Sequence, residues 1–136
     1  MKKTSTIISI LAGIVGAMVG ALVIHQFSGG FDKVLVRTAS GLNATLPMMV
    51  DQETRLDATM AGPGKKFLYT FTLINFTKAA VDVGHFQQTM RPKLVASYRT
   101  NPKMKSFRDH NVELVYQYKD KAGEFVCELV ITTKDL

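Results

Sequence analysis

The chain has 136 residues, of which 46% are hydrophobic and 21% charged, a composition that excludes a disordered or fibrous protein. Its 17 basic and 11 acidic side chains give a formal charge of +6, too small an excess for a dedicated nucleic-acid-binding protein. The one cysteine, Cys127, excludes an internal disulfide and any metal site built from two or more cysteines.

The chain begins with an apolar segment. Residues 7–24 carry no charge and follow Lys2 and Lys3. As a helix they would rise about 27 Å, nearly the thickness of a bilayer core. We favour a retained single-span anchor on this length; the alternative is a cleavable export signal. The two lysines predict a cytoplasmic amino terminus, with the rest of the chain in the bacterial periplasm and the anchor in the inner membrane.

Small side chains recur every four residues within this segment. On a helix they would form one face that another helix can approach closely. They are Ala12, Gly13, Gly16, Ala17, Gly20 and Ala21. The alternative is that glycine and alanine are simply common in membrane helices and export signals. The segment therefore predicts that the lipid bilayer is one partner of the chain. Its face of small side chains also allows an oligomer that forms through the membrane helix.

Three parts are expected along the chain. A membrane anchor or export signal is followed by a flexible linker, indicated by Ser28 and two glycines, and then by one extracytoplasmic α+β domain. The predicted boundaries are residues 1–27, 28–31 and 32–136.

The domain is expected to begin with a helix capped by Asp32 that runs to about Thr45, before Pro47. Alternating apolar residues on both sides of a Gly-Pro-Gly turn predict a first hairpin. A helix capped by Asp82 and kinked or displaced at Pro92 follows, and then a second helical piece with Asn101 as its cap and Pro102 in its first turn. A second alternating pair of strands then predicts a second hairpin.

Each predicted strand has one apolar face, so helices covering that face would bury the whole set. The predicted fold class is therefore α+β: an N-terminal transmembrane helix followed by a two-layer sandwich in the order α-ββ-αα-ββ. Its sheet is expected to be four-stranded and antiparallel, with the strand order open. The second sheet face would carry Leu68, Val115 and Val130, and we expect the helix that begins at Asp32 to cover it, with a partner subunit as the alternative.

Three carboxylates lie close together in the sequence. Asp51, Glu53 and Asp57 could ligate a divalent cation through oxygen. Arg55 lies inside the cluster, however, and favours a solvated strand with an internal ion pair. No catalytic, cofactor-binding or metal-binding residue is predicted from this cluster.

The remaining candidates for chemistry are isolated. His25, His85 and His110 are too far apart to form a metal pair on one element. Cys127 lies on the apolar face of a strand, and a buried thiol is a poor nucleophile. No cofactor is expected.

Residues 91–108 contain six basic side chains and no acidic one. This run is the strongest charge feature of the chain, and it predicts a surface for an acidic partner protein or anionic lipid. The six are Arg91, Lys93, Arg99, Lys103, Lys105 and Arg108. The alternative is a solvated helix face.

Residues 46–51 (Leu-Pro-Met-Met-Val-Asp), 54–57 (Thr-Arg-Leu-Asp), 62–65 (Gly-Pro-Gly-Lys) and 69–75 (Tyr-Thr-Phe-Thr-Leu-Ile-Asn) resemble a segment of small bacterial exported or membrane-anchored proteins of unknown function. The resemblance implies an α+β domain outside the cytoplasmic membrane. It brings no substrate, cofactor or catalytic residue with it.

These observations predict a membrane-anchored periplasmic protein-binding module, or an accessory subunit of an envelope membrane assembly, without catalysis. Its partner would be another envelope or membrane protein, and no nucleic acid is expected. Two alternatives stay open: a small hydrolase or ligand-binding enzyme that uses the three clustered carboxylates, and an inhibitor or immunity-type protein.

Overall fold

A five-stranded sheet with helices packed on it forms the structure, a computed structural model that describes residues 30–136. The elements in chain order are α1 (Phe31–Asn43), β1 (Met48–Met49), β2 (Thr54–Gly62), β3 (Lys66–Leu73), α2 (Val83–Thr100), α3 (Lys105–Asp109), β4 (Glu113–Lys119) and β5 (Phe125–Ile131). The α+β class predicted from the sequence is confirmed.

Among residues 30–136, no helix has both the length and the apolar character needed to cross a bilayer. The predicted anchor at residues 7–24, with its face of small side chains, lies outside the described part of the chain. The anchor and its proposed lateral contacts therefore stay predictions.

Both predicted hairpins are present. β2 and β3 pair antiparallel, and their connection contains Gly64 and Lys65 with φ of 77° and 59°. Glycine adopts such positive angles without steric cost, which explains the glycine at position 64 of this turn. β4 and β5 also pair antiparallel, around a turn in which Gly123 has a φ of 84°.

The predicted four-stranded antiparallel sheet was wrong in two respects. β3 and β4 run parallel, with Tyr69 opposite Tyr116 and Phe71 opposite Tyr118. The connection between them contains α2 and α3, and such a crossover returns the chain to the end of the sheet where it began. The second difference is β1, which adds a fifth strand in the order β1-β2-β3-β4-β5. With two residues, it is too short to show a periodicity.

Helix α2 differs from its prediction at Pro92. Asp82 caps it as expected, accepting a hydrogen bond from the backbone N–H of His85 at 3.1 Å. The helix then continues past Pro92 to Thr100, so the displacement of its second half, one of the two expected outcomes, does not occur. Buried side chains lie on both sides of the proline, including Met90 before it and Leu94 after it. Burial of both halves in one core offsets the hydrogen bond that proline cannot make.

The prediction that the first helix covers the second sheet face was also wrong. The structure starts α1 at Phe31, after Gly30, and ends it at Asn43. Its buried Leu35 and Leu42 belong to the same core as the other helices. The Thr59 hydroxyl, on the core face of β2, donates to the Ala39 carbonyl at 3.2 Å. In the described chain, therefore, no helix covers the face that carries Leu68, Val115 and Val130.

Aromatic rings form the centre of the core. Tyr69 stacks on Tyr116 with centroids 4.9 Å apart, and Phe71 stacks on Tyr118 at 5.0 Å. Within residues 30–136 the hydroxyls of Tyr69 and Tyr118 have no hydrogen-bond partner. By contrast, the hydroxyl of Tyr98 donates to the Val112 carbonyl at 2.8 Å.

This contrast gives a matched pair of substitutions. Tyr98→Phe leaves a buried carbonyl without its donor, and we expect it to lower the free energy of unfolding by about 1–2 kcal/mol. Tyr118→Phe removes an unpaired hydroxyl and keeps the ring stack, so we expect a change near zero or a slight stabilisation. Urea denaturation of both variants measures the difference, and equal losses would contradict this description of the core.

The turn between β4 and β5 depends on Asp120. Its carboxylate accepts backbone N–H bonds from Glu124 at 2.8 Å, Lys78 at 2.9 Å and Ala122 at 2.8 Å. These bonds, that from Glu124 foremost, lower the pKa of Asp120 below its usual value. The residue therefore ties the second hairpin to the segment that follows β3.

Because the pKa of Asp120 is lowered by folding, we expect its contribution to the free energy of unfolding to depend on pH. An ionised Asp120 stabilises the fold above its unfolded pKa, about 3.9, and this contribution is lost as the pH falls through the lower folded pKa. Asp120→Asn cannot supply the charge. We expect the stability difference between wild type and variant, measured by urea unfolding, to be largest near neutral pH and to shrink below about pH 4. A difference that does not change with pH would contradict this assignment.

Candidate partner interface

The three clustered carboxylates are engaged separately. Asp51 accepts backbone N–H bonds from Glu53 at 2.7 Å and Thr54 at 2.8 Å. The side chain of Glu53 accepts from the Asn75 amide, and Asp57 pairs with Arg55. In the part of the chain that the structure describes, no group of three or more histidine, cysteine, aspartate or glutamate side chains is arranged to hold a metal ion.

Other reactive groups are equally dispersed. His85 is exposed at the start of α2, whereas the ring of His110 stacks on Phe31 with centroids 3.8 Å apart. Cys127 is buried, as expected, and burial raises the pKa of its thiol to about 11. Burial also raises the pKa of Tyr69 and Tyr118 well above the usual value. The thiol and both phenols are thus protonated at neutral pH and are poor nucleophiles or bases.

Of the six predicted basic residues, Arg91 contacts the edge of the sheet. It lies one helical turn after Gln87 on α2, and both side chains reach β5. Gln87 Nε2 donates to the Glu128 carbonyl at 3.2 Å, and Arg91 Nη1 donates to the Val130 carbonyl at 2.9 Å. The same two side chains line a groove of about 310 Å³ between α2 and β5. They satisfy backbone acceptors on the outer edge of β5, which would otherwise be free to pair with another strand.

Two more of the basic residues act within the domain. Arg108 Nη1 donates to the carbonyls of Tyr98 at 2.9 Å and Asn101 at 2.6 Å, which fixes α3 against the end of α2. Lys105 forms an ion pair with Asp109 at 2.6 Å, one helical turn away. Their charge is therefore partly used in holding the crossover together.

The other three basic side chains are Lys93, Arg99 and Lys103. Lys93 is half-buried, whereas Arg99 and Lys103 are exposed. We find no ion pair or side-chain hydrogen bond for these three within residues 30–136. They lie on α2 and the short turn after it, and they form the part of the predicted basic surface that is available to an anionic partner.

A second groove lies at the opposite edge of the sheet, between α1 and β2. The carboxamide of Asn43 donates to the Thr59 carbonyl at 2.8 Å and accepts from the Thr59 backbone N–H at 2.7 Å. The groove has a volume of about 210 Å³, and Val36 and Met60 beside it are 55% and 57% exposed. The sequence pattern did not indicate this groove, because it depends on a single asparagine at the end of a helix.

Exposed apolar side chains concentrate at this edge. Within residues 30–136, five large hydrophobic residues are exposed, and four of them lie on α1, β1 and β2. These four are Val36, Met48, Met49 and Met60; the fifth, Phe125, lies on β5. Exposed methionines are frequent at protein-binding surfaces, because their flexible thioether side chains adapt to a partner.

Three solved structures share this fold. The pilotin EpsS of the Vibrio vulnificus type 2 secretion system has a TM-score of 0.61 at 11% identity, covering 77% of this chain and 90% of its own. The pilotin AspS of the Vibrio cholerae type II secretion system has a TM-score of 0.58 at 15% identity, covering 91% and 100%. A Pseudomonas aeruginosa protein described as secreted has a TM-score of 0.62 at 12% identity, covering 79% and 98%. At these identities the likeness concerns the fold.

No curated protein matches the chain. One family model does, across residues 31–126, and its description is a domain of unknown function. The segment at residues 46–75 that resembled proteins of unknown function falls inside this match, and that expectation is confirmed. Because the match covers most of the sequence, the chain belongs to the family of the domain of unknown function DUF8479.

Proposed function

We propose that the protein is a non-catalytic accessory subunit of an envelope secretion assembly and that it works by binding another envelope protein. One observation carries the proposal: the fold matches two type II secretion pilotins over 90% and 100% of their lengths. Structural similarity over the whole length of a small protein supports a similar function more strongly than similarity over a fragment would.

The chemistry of the described residues supports binding over catalysis. The thiol and the core tyrosines that could act as nucleophiles or bases are held protonated by burial. The carboxylates on which a hydrolase would depend each contact a different partner. No observation in the described geometry favours the hydrolase or the immunity-type alternative.

The basic segment is proposed as one contact surface of this subunit. All six predicted residues lie on or near α2 and α3, but their parts differ. Arg91, Lys105 and Arg108 hold the local structure, and Lys93, Arg99 and Lys103 present the charge. An acidic surface on the partner protein would complement them, and rim charges of this kind raise the rate and specificity of association.

The proposed location is the periplasm, with residues 1–27 as a membrane anchor or export signal, residues 28–31 as a linker and residues 32–136 as the binding domain. Lys2 and Lys3 support a cytoplasmic amino terminus, in an inner-membrane protein with a single span. The lipid bilayer would then be a second partner, and the face of small residues would allow an oligomer through the membrane helix.

Charge reversal tests this function. Wild-type protein extracted from its native membranes in mild detergent should retain a defined partner. The triple variant Lys93→Glu, Arg99→Glu and Lys103→Glu should retain about tenfold less of it, because three attractive contacts become repulsive. Quantitative mass spectrometry of the purified complexes measures this ratio.

A triple variant with the same change in net charge is the control. Lys33→Glu, Lys121→Glu and Lys134→Glu alters three exposed lysines outside the basic segment and should keep the partner. If the wild type retains no partner, the proposed function is wrong. If both triple variants lose the partner equally, the basic segment is not its contact surface.

A further inference from the structure

We propose that the outer edge of β2 is a docking site for an extended peptide segment of a partner protein, which adds as a strand beside β2 beyond the end of β1. The inference deepens the proposed function, since it names a surface that takes the partner, and it rests on that function for the partner's identity. The site itself follows from the backbone geometry of β2, from its contact with Asn43 and from the uncharged groove beside it.

The outer edge of β2 is only partly paired. β1 pairs with Arg55 and Leu56 alone, although β2 has nine residues. Further along, the backbone N–H and carbonyl of Thr59 both bond to the side chain of Asn43, so they point away from β3. In an antiparallel ladder this orientation alternates, and residues two apart point the same way. Thr59 and Ala61 keep regular register with β3, so the backbone groups of Ala61 also point outward.

Asn43 shows which chemistry this edge accepts. Its carboxamide makes with Thr59 the two bonds that a residue of a neighbouring antiparallel strand would make, one donated and one accepted, at 2.8 and 2.7 Å. A peptide group carries the same donor and acceptor. Main-chain bonds of this kind supply the affinity when an extended peptide adds to a sheet edge. An incoming strand can therefore bond to Ala61 directly. It bonds to Thr59 only by displacing the Asn43 carboxamide, because Thr59 is buried beside α1 and its hydroxyl also donates to the Ala39 carbonyl.

The groove beside this edge indicates the side chains of the occupant. It lies where a side chain on the core side of an added strand would enter, under α1. Its lining consists of Val36, Ala39, Ser40, Asn43, Thr59, Met60 and Ala61, none of which is charged. Met60 is 57% exposed and offers the occupant a further apolar contact at this edge. The occupant is thus an extended segment with uncharged, largely apolar side chains.

The edge of β5 does not offer an equivalent site. Two of its outward carbonyls, those of Glu128 and Val130, are bonded by Gln87 and Arg91, which lie one turn apart on α2. The guanidinium group places a positive charge beside that edge and cannot accept a hydrogen bond. Within the described sheet, the part of β2 that β1 leaves unpaired therefore suits a peptide strand better than the edge of β5 does.

A synthetic peptide tests the site directly. The probe is acetyl-Lys-Thr-Val-Thr-Val-Thr-Lys-amide, and its control is the same peptide N-methylated at both valines, which cannot donate those bonds. Each is added to the full ¹⁵N-labelled chain in detergent micelles. We expect the unmethylated peptide to shift the backbone amide signals of Thr59 and Ala61 and the side-chain amide of Asn43. The methylated peptide should bind at least about tenfold more weakly.

A substitution on the protein side removes the same bond. Ala61→Pro deletes the outward N–H, and proline is tolerated on edge strands where its nitrogen faces outward. Ala61→Val keeps the N–H and is the matched control. The proline variant should bind the peptide at least about tenfold more weakly than the valine variant, with equal thermal midpoints for the two. If the proline variant does not fold, the methylated peptide on wild-type protein still decides the question.

The outcomes separate this inference from the function on which it rests. No signal shift at Asn43 and Ala61, or equal binding of the two peptides, overturns the docking site even if a partner co-purifies from membranes. Selective binding of the unmethylated peptide at these residues supports the docking site. This holds even if no partner co-purifies and the proposed function is wrong.

Discussion

The parallel pairing of β3 with β4 is the constraint on which the rest of the structure depends. Two neighbouring strands that run in the same direction require a crossover, and here it consists of α2 and α3. The crossover packs on the sheet face that carries the stacked rings of Tyr69, Phe71, Tyr116 and Tyr118. Because α1 joins this same core, the described helices all collect on one face of the sheet.

Because the described helices pack on one face of the sheet, side chains must protect its edges from pairing with other strands. An exposed edge is a template for pairing with other chains, and proteins usually block it. Here α2 blocks β5 with two side chains, while α1 blocks β2 with the single carboxamide of Asn43 and β1 covers only its first part. The two edges therefore differ in how easily a partner strand can reach them. The exposed methionines lie at the weakly protected edge, next to its uncharged groove.

Local patterns in the sequence predicted the local structure well. Alternating residues around glycine turns identified both hairpins, and Asp82 correctly marked the start of α2. Parallel pairing could not be predicted, since alternation within a strand does not specify the direction of its neighbour. The position of α1 also escaped prediction, because an amphipathic helix can cover either apolar face. The second half of α2 is not displaced at Pro92, because tertiary burial of both halves outweighs the local preference of proline.

The candidate site was predictable only in part. The run of basic residues was visible as charge, yet the sequence could not show that Arg91 bonds to a backbone carbonyl of β5 or that Arg108 bonds to carbonyls at the end of α2. The role of Asn43 has no signal in the sequence, since asparagine at a helix end is usually a capping residue or part of a turn. Sites that depend on contacts between distant elements become visible only once the fold is known.

The direction of β4 relative to β3 is the most direct test of this account. Nuclear Overhauser effects between backbone protons of the two strands can be measured on the full chain in detergent micelles. The account predicts contacts of Phe67 with Leu114 and of Phe71 with Tyr118. Contacts of Phe67 with Tyr118 and of Phe71 with Leu114 would show an antiparallel pair, and they would contradict both the crossover and the arrangement of the sheet edges.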